Sequence, residues 1–202
     1  MDTKSAFDIL VDILIELGLK PFTHVSDRNF LVPGSDRLLN TKYVVAQIDA
    51  SFFLAYDSYG TKANSSLSFT GIYSSIELMP AAECKISKKH WLDQLITFNK
   101  RKTGIPYIDE SLTITSSAWT PSQLLKEEDV KLMLTCMNKL QPLKFIIQND
   151  YMPLLYQLKE QKIIGLETNE WLYEKKGLET LLFDGSKLLN NLKKAATYCE
   201  PF

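Results

Sequence analysis

A thiol and an imidazole lie close together in the chain, at Cys84 and His90. With Glu83 before the thiol, these groups have the types needed for a nucleophilic Cys–His pair oriented by a carboxylate. Such a pair needs a hydrogen bond of about 3 Å, which six residues of separation permit but do not require. A packed thiol beside a surface imidazole gives the same pattern. Cys84 and His90 are therefore the candidate catalytic residues, with His24 as a further imidazole in a predicted loop.

The one uneven stretch of charge runs from Lys85 to Lys102, where six basic residues face only Asp93. Trp91 lies inside it, and basic residues beside an indole suit an anionic lipid surface or a phosphate group. A solvated helix end whose tryptophan enters the core would look the same. The candidate binding residues are Lys85, Lys88, Lys89, Trp91, Lys100, Arg101 and Lys102.

The remaining polar clusters suggest no further chemistry. The adjacent carboxylates of Asp109-Glu110 and Glu127-Glu128-Asp129 share one solvated environment each, so nothing separates their pKa values for acid–base work. Phosphate-binding loops, dinucleotide fingerprints and nucleophile elbows are missing from the sequence. Two histidines and three cysteines at unrelated spacings offer no metal-ligand pattern. We therefore expect no cofactor and no metal.

Composition indicates an ordinary globular chain. Of 202 residues, 45% are hydrophobic and 23% charged, and 23 basic against 24 acidic residues argue against a nucleic-acid partner. Carboxylates at Asp8, Asp12 and Glu16 interrupt the first apolar stretch, which argues against a signal peptide or a membrane span. Unpatterned cysteines indicate reduced thiols, and we expect a cytoplasmic location. One domain over 1–202 is predicted, with residues 1–40 as an alternative N-terminal helix appendage.

The elements that must position these residues begin with a helix over 5–17, capped by Ser5 and stopped by Gly18. Even-numbered apolar positions over 42–57 keep one phase, which predicts a single long strand. A second strand over 66–79 changes phase at Gly71, as a β-bulge would, and ends at Pro80. Together they form a long central hairpin.

The second half of the chain mixes strands and helices. Strands are predicted near 29–32 and over 83–86, 111–115 and 143–148, with helices over 88–98 and 176–196. Thr120-Pro121-Ser122-Gln123 indicates a helix start, and that helix runs to about Leu140 with a break near Lys126. Residues 150–168 are ambiguous, because Leu154, Leu155 and Leu158 suit a helix, whereas Ile163, Ile164 and Leu166 suit a strand. Strands and helices are segregated, which favours an α+β fold: an antiparallel sheet with helices mainly on one face.

The stretch from Thr103 to Ile114 resembles a G-x-x-FD-x-x-F-x-V motif of uncharacterised bacterial α+β domains. Gly104, Asp109, Leu112 and Ile114 correspond to the Gly, Asp, second Phe and Val of the motif, but Ile108 stands where phenylalanine is usual, and Ile105 and Pro106 stretch the spacing. The resemblance implies the same α+β architecture and carries no assigned activity. From the residues themselves, 104–106 form a turn, and Asp109-Glu110 are solvated residues leading into an edge strand.

Three functions fit this chain. The leading hypothesis is a non-catalytic domain acting through protein contacts, with a partner or by self-association, on an edge or face of the 42–57 strand. The second is peripheral binding to an anionic membrane or phosphate surface through 85–102. The third is a small-ligand binder or enzyme with a pocket between sheet and helices.

Overall fold

The computed structural model describes residues 4–28, 39–60, 66–78, 83–90, 100–116, 124–149 and 154–197. Its strands are β1 (Phe22–Arg28), β2 (Leu39–Ile48), β3 (Ser51–Gly60), β4 (Ser66–Ser75), β5 (Cys84–Lys88), β6 (Lys100–Arg101), β7 (Leu112–Ser116), β8 (Leu143–Asn149) and β9 (Lys162–Thr168). Its helices are α1 (Ala6–Glu16), α2 (Pro106–Asp109), α3 (Glu127–Lys139), α4 (Lys175–Glu179) and α5 (Ser186–Thr197). A 3₁₀ turn covers Tyr156–Leu158, and a π-helical turn over Thr180–Gly185 joins α4 to α5.

The nine described strands form one antiparallel sheet in the order β1-β2-β3-β4-β9-β8-β5-β7-β6. One face, called here the helical face, carries Phe53, Ile72 and Phe145 in the same buried cluster as leucines of α1 and α5. The predicted α+β class, with helices mainly on one face of an antiparallel sheet, is confirmed.

Helix α1 follows its sequence signals closely. Ser5 caps it through a hydrogen bond from the Asp8 backbone amide, and the Asp8 carboxylate accepts in return from the Ser5 amide. Leu10 and Leu14 are buried in the main core. Gly18 adopts a positive φ of 83° just past the helix, so the predicted stop is confirmed.

The predicted single strand over 42–57 is wrong, because the chain reverses at Asp49-Ala50. Ile48 pairs with Ser51, and Asp49 takes a φ of 51°, a left-handed conformation that aspartate tolerates in tight turns. Across a two-residue turn the even positions change faces: Val44 lies opposite Ala55 on the helical face. The apolar alternation continued through the turn only because β3 is apolar on both faces.

The second face of the sheet is the reason for that pattern. Leu54, Tyr73, Ile146 and Ile163 form a separate buried cluster there, closed by Leu155 and Leu158 beside the 3₁₀ turn. Strands covered on both sides lose the simple alternation of a half-exposed sheet. For the same reason the predicted bulge at Gly71 is wrong: pairing with β3 and β9 passes through Gly71 without a break.

Further differences lie near the ends of the sheet. β1 forms in a stretch predicted as loop, while the predicted strand at 29–32 lies outside the described residues. β5 runs to Lys88, where a helix was expected to begin, and most of that helix and the 120–123 cap also lie outside. The described part of the ambiguous stretch, 154–168, contains the 3₁₀ turn followed by β9. Lys126, where a break was expected, is the N-cap residue of α3.

Candidate functional site

The structure does not bring Cys84 and His90 together. Cys84 begins β5 and is buried in the main core, where burial raises the pKa of its thiol to about 12. His90 is exposed beyond the other end of β5. An extended strand rises about 3.3 Å per residue, so the four steps from Cys84 to Lys88 already separate the two by roughly 13 Å. The geometry is that of a packed thiol and a surface imidazole.

The basic stretch is divided by the sheet. Lys85 and Lys88 are three residues apart on one extended strand, so they lie on opposite faces. Lys89 donates from Nζ to the backbone oxygen of Asp109 at 2.8 Å. Lys100 and Lys85 pair with Thr115 from its two sides. Arg101 ends β6 and Lys102 is exposed just after it, while Trp91 lies outside the described residues.

The carboxylates at 109 and 110 differ from expectation. Asp109 accepts hydrogen bonds from the Thr103 amide and hydroxyl and from the Gly104 amide, all at 2.9 Å. Burial acts against the charged form, yet these hydrogen bonds, with Lys102 nearby, hold the pKa of Asp109 below its usual value. Asp109 therefore anchors the 103–104 turn, whereas Glu110 is exposed as predicted. The strand that follows, β7, is not an edge: it lies between β5 and β6.

The described residues contain neither a cluster of metal-ligating side chains nor a helix that could span a membrane. Nowhere in the described ranges do three or more histidine, cysteine, aspartate or glutamate side chains cluster as a metal site. No described helix combines the length and the apolar character needed to cross a bilayer.

One buried ionic network crosses three strands on the second face. Tyr73 on β4 donates from Oη to Glu167 Oε2 at 3.0 Å, and Lys144 Nζ on β8 lies 2.6 Å from Glu167 Oε1. Both carboxylate oxygens of the buried Glu167 are thus satisfied, and Lys144 also reaches Asn169 at 3.3 Å. Because its charged groups have partners, we interpret this network as part of the packing of the sheet and not as a reactive site. Tyr73 and Glu167 are 94 residues apart, so no local pattern could have predicted the network.

A shallow polar groove of about 380 Å³ adjoins this network. Lys85 and Lys144 contribute two positive charges to its lining, and Glu83 and Glu167 contribute two negative ones. The balance gives the groove no net attraction for a phosphate. Lys88 and Lys89 line a different groove, of about 520 Å³, together with His90 and Glu110, so these lysines of the predicted binding stretch are divided between two grooves.

The two ends of the sheet differ in character. At one end β6 is two residues long and consists of Lys100 and Arg101. Short, charged edges are a common protection against unwanted strand pairing. At the other end β1 is seven residues long, and its first five, Phe22 to Ser26, carry no lysine, arginine, aspartate or glutamate. Among the described strands β1 is paired only with β2.

Apolar and aromatic side chains accompany the β1 edge. Phe22 is 62% exposed and Val25 is 51% exposed. They lie on opposite faces of the strand, because they are three residues apart. On the second face Tyr43 of β2 packs against both Phe22, at 6.3 Å between ring centroids, and His24, at 4.7 Å. The signal for this edge in the sequence was the uncharged stretch at 22–26, which the nearby prolines obscured.

A cavity of about 870 Å³ lies at the end of β9 against α3, α4 and the π-helical turn. It is called here the C-terminal cavity. Its walls combine aromatic and charged side chains, and none of the residues singled out in the sequence belongs to it. Only the third functional hypothesis, a pocket between sheet and helices, pointed to such a place.

Comparisons with known proteins give no relative: no protein-family model, no curated protein and no solved structure matches this chain. The resemblance of Thr103–Ile114 to uncharacterised bacterial domains stays a prediction. The structure supplies a local reason for that stretch, since Asp109 at the end of α2 binds the amides of Thr103 and Gly104.

Proposed function

We propose that this chain is a protein-interaction module that self-associates by pairing β1 with β1 of a second copy. The observation that carries the proposal is the edge itself: a seven-residue end strand with exposed Phe22 and Val25 and no charge before Asp27. Exposed strand edges of this type bind further strands through their unpaired backbone amides and carbonyls. The sequence hypothesis of an edge within 42–57 is revised, because β2 and β3 are each paired on both sides.

A second copy suits this edge because antiparallel pairing of a strand with itself is symmetric. Two copies related by a two-fold axis present the same surface to each other, which closes the assembly at a dimer. Phe22 of each copy would continue the aromatic packing on Tyr43 across the junction. The charged edge at β6 disfavours pairing at the other end, so the sheet would not extend into a fibre.

The other hypotheses receive less support as the main activity. Division of the lysines between two faces and a charge-balanced groove weaken the case for an anionic membrane or phosphate surface. The buried, unpaired thiols of Cys84 and Cys136 suit a reducing compartment, in accord with a proposed cytoplasmic location.

Sedimentation velocity over a wide concentration range tests the proposal. The full chain is compared with the double variant Phe22→Lys/Val25→Lys, which puts two charges on the edge. Burying the exposed part of Phe22 is worth about 1–2 kcal/mol per copy, so the dimer dissociation constant should rise roughly 30- to 700-fold.

The matched control is Ile15→Lys/Tyr156→Lys, which charges two similarly exposed apolar positions away from β1. It should dimerise like the unmodified chain. A chain that stays monomeric at the highest concentrations, or a control that loses the dimer equally, would contradict the proposal.

A further inference from the structure

The C-terminal cavity contains two polar atoms that the fold leaves without partners. Thr168, at the end of β9, is 1% exposed, and its Oγ1 has no hydrogen bond. Trp171 Nε1 is also buried and unpaired. Both residues line the cavity. A buried polar group without a partner costs about 1–3 kcal/mol, and the position of these two on a cavity wall indicates a ligand atom that would pair them. Because the indole N–H only donates, that atom is an acceptor such as oxygen.

The charge of the lining selects a cation. Four carboxylates line the cavity, from Glu170, Glu174, Glu179 and Asp184, against two ammonium groups. Lys139 lies 3.2 Å from Asp184 and neutralises it. Three carboxylates therefore face one remaining lysine, Lys176.

Aromatic rings line the same space. Tyr173 and Phe183 are 46% and 58% exposed, so both rings are open to solvent on the cavity wall. Phe183 lies in the π-helical turn, an irregularity that often accompanies function. Trp171 is held in place by Phe7, whose ring stacks at 6.2 Å. Ring faces beside carboxylates are the usual surroundings of a bound organic ammonium group.

We infer that the C-terminal cavity binds a small organic ammonium compound that carries an oxygen acceptor, that is, an amino alcohol of the choline type. The ammonium group lies against Tyr173 and Phe183 within the field of the carboxylates. The oxygen accepts from Trp171 Nε1 and pairs with the Thr168 hydroxyl. This inference is independent of the β1 edge, which lies in a different part of the sheet.

The test follows the indole N–H resonances of the full chain by NMR during titration with choline. The chain has three tryptophans, and the signal of Trp171 is identified by its loss in Trp171→Phe. We expect a saturable shift of that signal at roughly millimolar choline, as suits a ligand of this size. An unmoved Trp171 signal at about 50 mM choline would overturn the inference.

Three related probes separate the recognised groups. The neutral isostere 3,3-dimethyl-1-butanol should bind about 3- to 30-fold more weakly, since it lacks the charge. Tetramethylammonium should bind without moving the Trp171 N–H signal, since it lacks the oxygen. Phosphocholine should bind more weakly than choline, because its phosphate meets the carboxylates. Equal binding of choline and its neutral isostere, or a larger Trp171 shift with tetramethylammonium, would refute the assignment.

Thr168→Val separates binding from stability. The change removes an unpaired buried hydroxyl at nearly constant shape, so the free energy of unfolding should stay equal or increase while the choline dissociation constant rises several-fold. Tyr173→Leu/Phe183→Leu should weaken choline about 3- to 30-fold, against Tyr156→Leu as the control at an exposed ring outside the cavity. Unchanged choline affinity in both cavity variants would exclude these side chains as the binding groups.

Discussion

Replacing Gly165 by alanine tests the closest packing in the sheet. Gly165 lies opposite Tyr73 of β4 and Ile146 of β8, so its strand is paired on both sides. A Cβ built on Gly165 would lie 2.5 Å from Tyr73 Cδ1 and 3.1 Å from the backbone oxygen of Ile72. Carbon atoms pack best at about 3.5–4.0 Å, so the added methyl group is about 1 Å too close to the ring.

Neither neighbour can easily move away. The Tyr73 ring is fixed by its hydrogen bond to Glu167, and β9 is fixed by two ladders. Overpacking typically costs about 1–3 kcal/mol, and a 2.5 Å contact with no room to move places Gly165→Ala at the upper end, about 3 kcal/mol. The lower entropy of an unfolded chain with alanine returns about 0.4–1 kcal/mol. We therefore expect Gly165→Ala to lower the free energy of unfolding by about 2–3 kcal/mol, or Tm by about 4–12 °C.

Urea denaturation in two backgrounds identifies the cause. In a Tyr73→Ala chain the ring is gone, and Gly165→Ala should then change the free energy of unfolding by less than about 1 kcal/mol. A loss of the same size in both backgrounds would refute the steric argument. Gly177→Ala, within α4, is the control: its Cβ would meet only the ends of two leucine side chains, Leu140 Cδ2 at 3.2 Å and Leu172 Cδ2 at 4.0 Å. Alanine should therefore leave stability equal or raise it by up to about 1 kcal/mol.

Two further predictions concern ionisable groups. Asp109→Ala removes three hydrogen bonds to Thr103 and Gly104 and should cost about 1–3 kcal/mol in urea denaturation at pH 7. Because folding lowers the pKa of Asp109, this stabilisation is complete above the ordinary aspartate pKa of about 3.9 and is lost as the pH falls through the lowered value. If Asp109→Ala still lowered the free energy of unfolding by the same amount in strong acid, the prediction would be contradicted. Burial raises the pKa of the Cys84 thiol to about 12, and burial is also the main cause that raises the pKa of the Cys136 thiol to about 11. Iodoacetamide at pH 8 should therefore alkylate neither thiol in the folded chain and both thiols in urea, as measured by peptide mass spectrometry. Rapid labelling of folded Cys84 would restore it as a candidate nucleophile.

Local signals predicted the elements whose causes are local. The Ser5–Asp8 capping box and Gly18 define α1 from neighbouring residues alone. The start of α3 at Glu127, with Lys126 as the N-cap residue, likewise agrees with the break predicted near Lys126. Such features depend on backbone groups within one helical turn, so neighbouring residues in the sequence are enough to predict them.

The β2–β3 hairpin was missed because its cause is distant. Alternation of apolar and polar residues is typical of a strand with one solvent-exposed face. β3 has none, because helices cover one face and Leu155 and Leu158 cover the other. The covering leucines follow it by about 100 residues. Only Asp49, as a residue suited to a tight turn, marked the reversal, and the continuing apolar phase outweighed it.

The candidate sites were missed for a similar reason. The C-terminal cavity depends on where the end of β9 contacts α3 and the π-helical turn. The spacing of residues in the sequence does not predict such a contact between distant elements. The basic stretch at 85–102 was visible as a run of charge, but strand geometry places Lys85 and Lys88 on opposite faces. A run of charged residues in the sequence predicts a charged surface only when the secondary structure that carries the run is known.

The sheet order has a consequence for synthesis on the ribosome. β1 to β4 follow one another along the chain and pair in order, but the partner for the far side of β4 is β9, about 90 residues later. At about 5–20 residues per second the nascent chain carries an open β4 edge for roughly 5–20 seconds. During that interval Phe69 and Tyr73 stand on an unpaired strand that other nascent chains can join. The last described strand to leave the ribosome thus closes the open edge of one of the first.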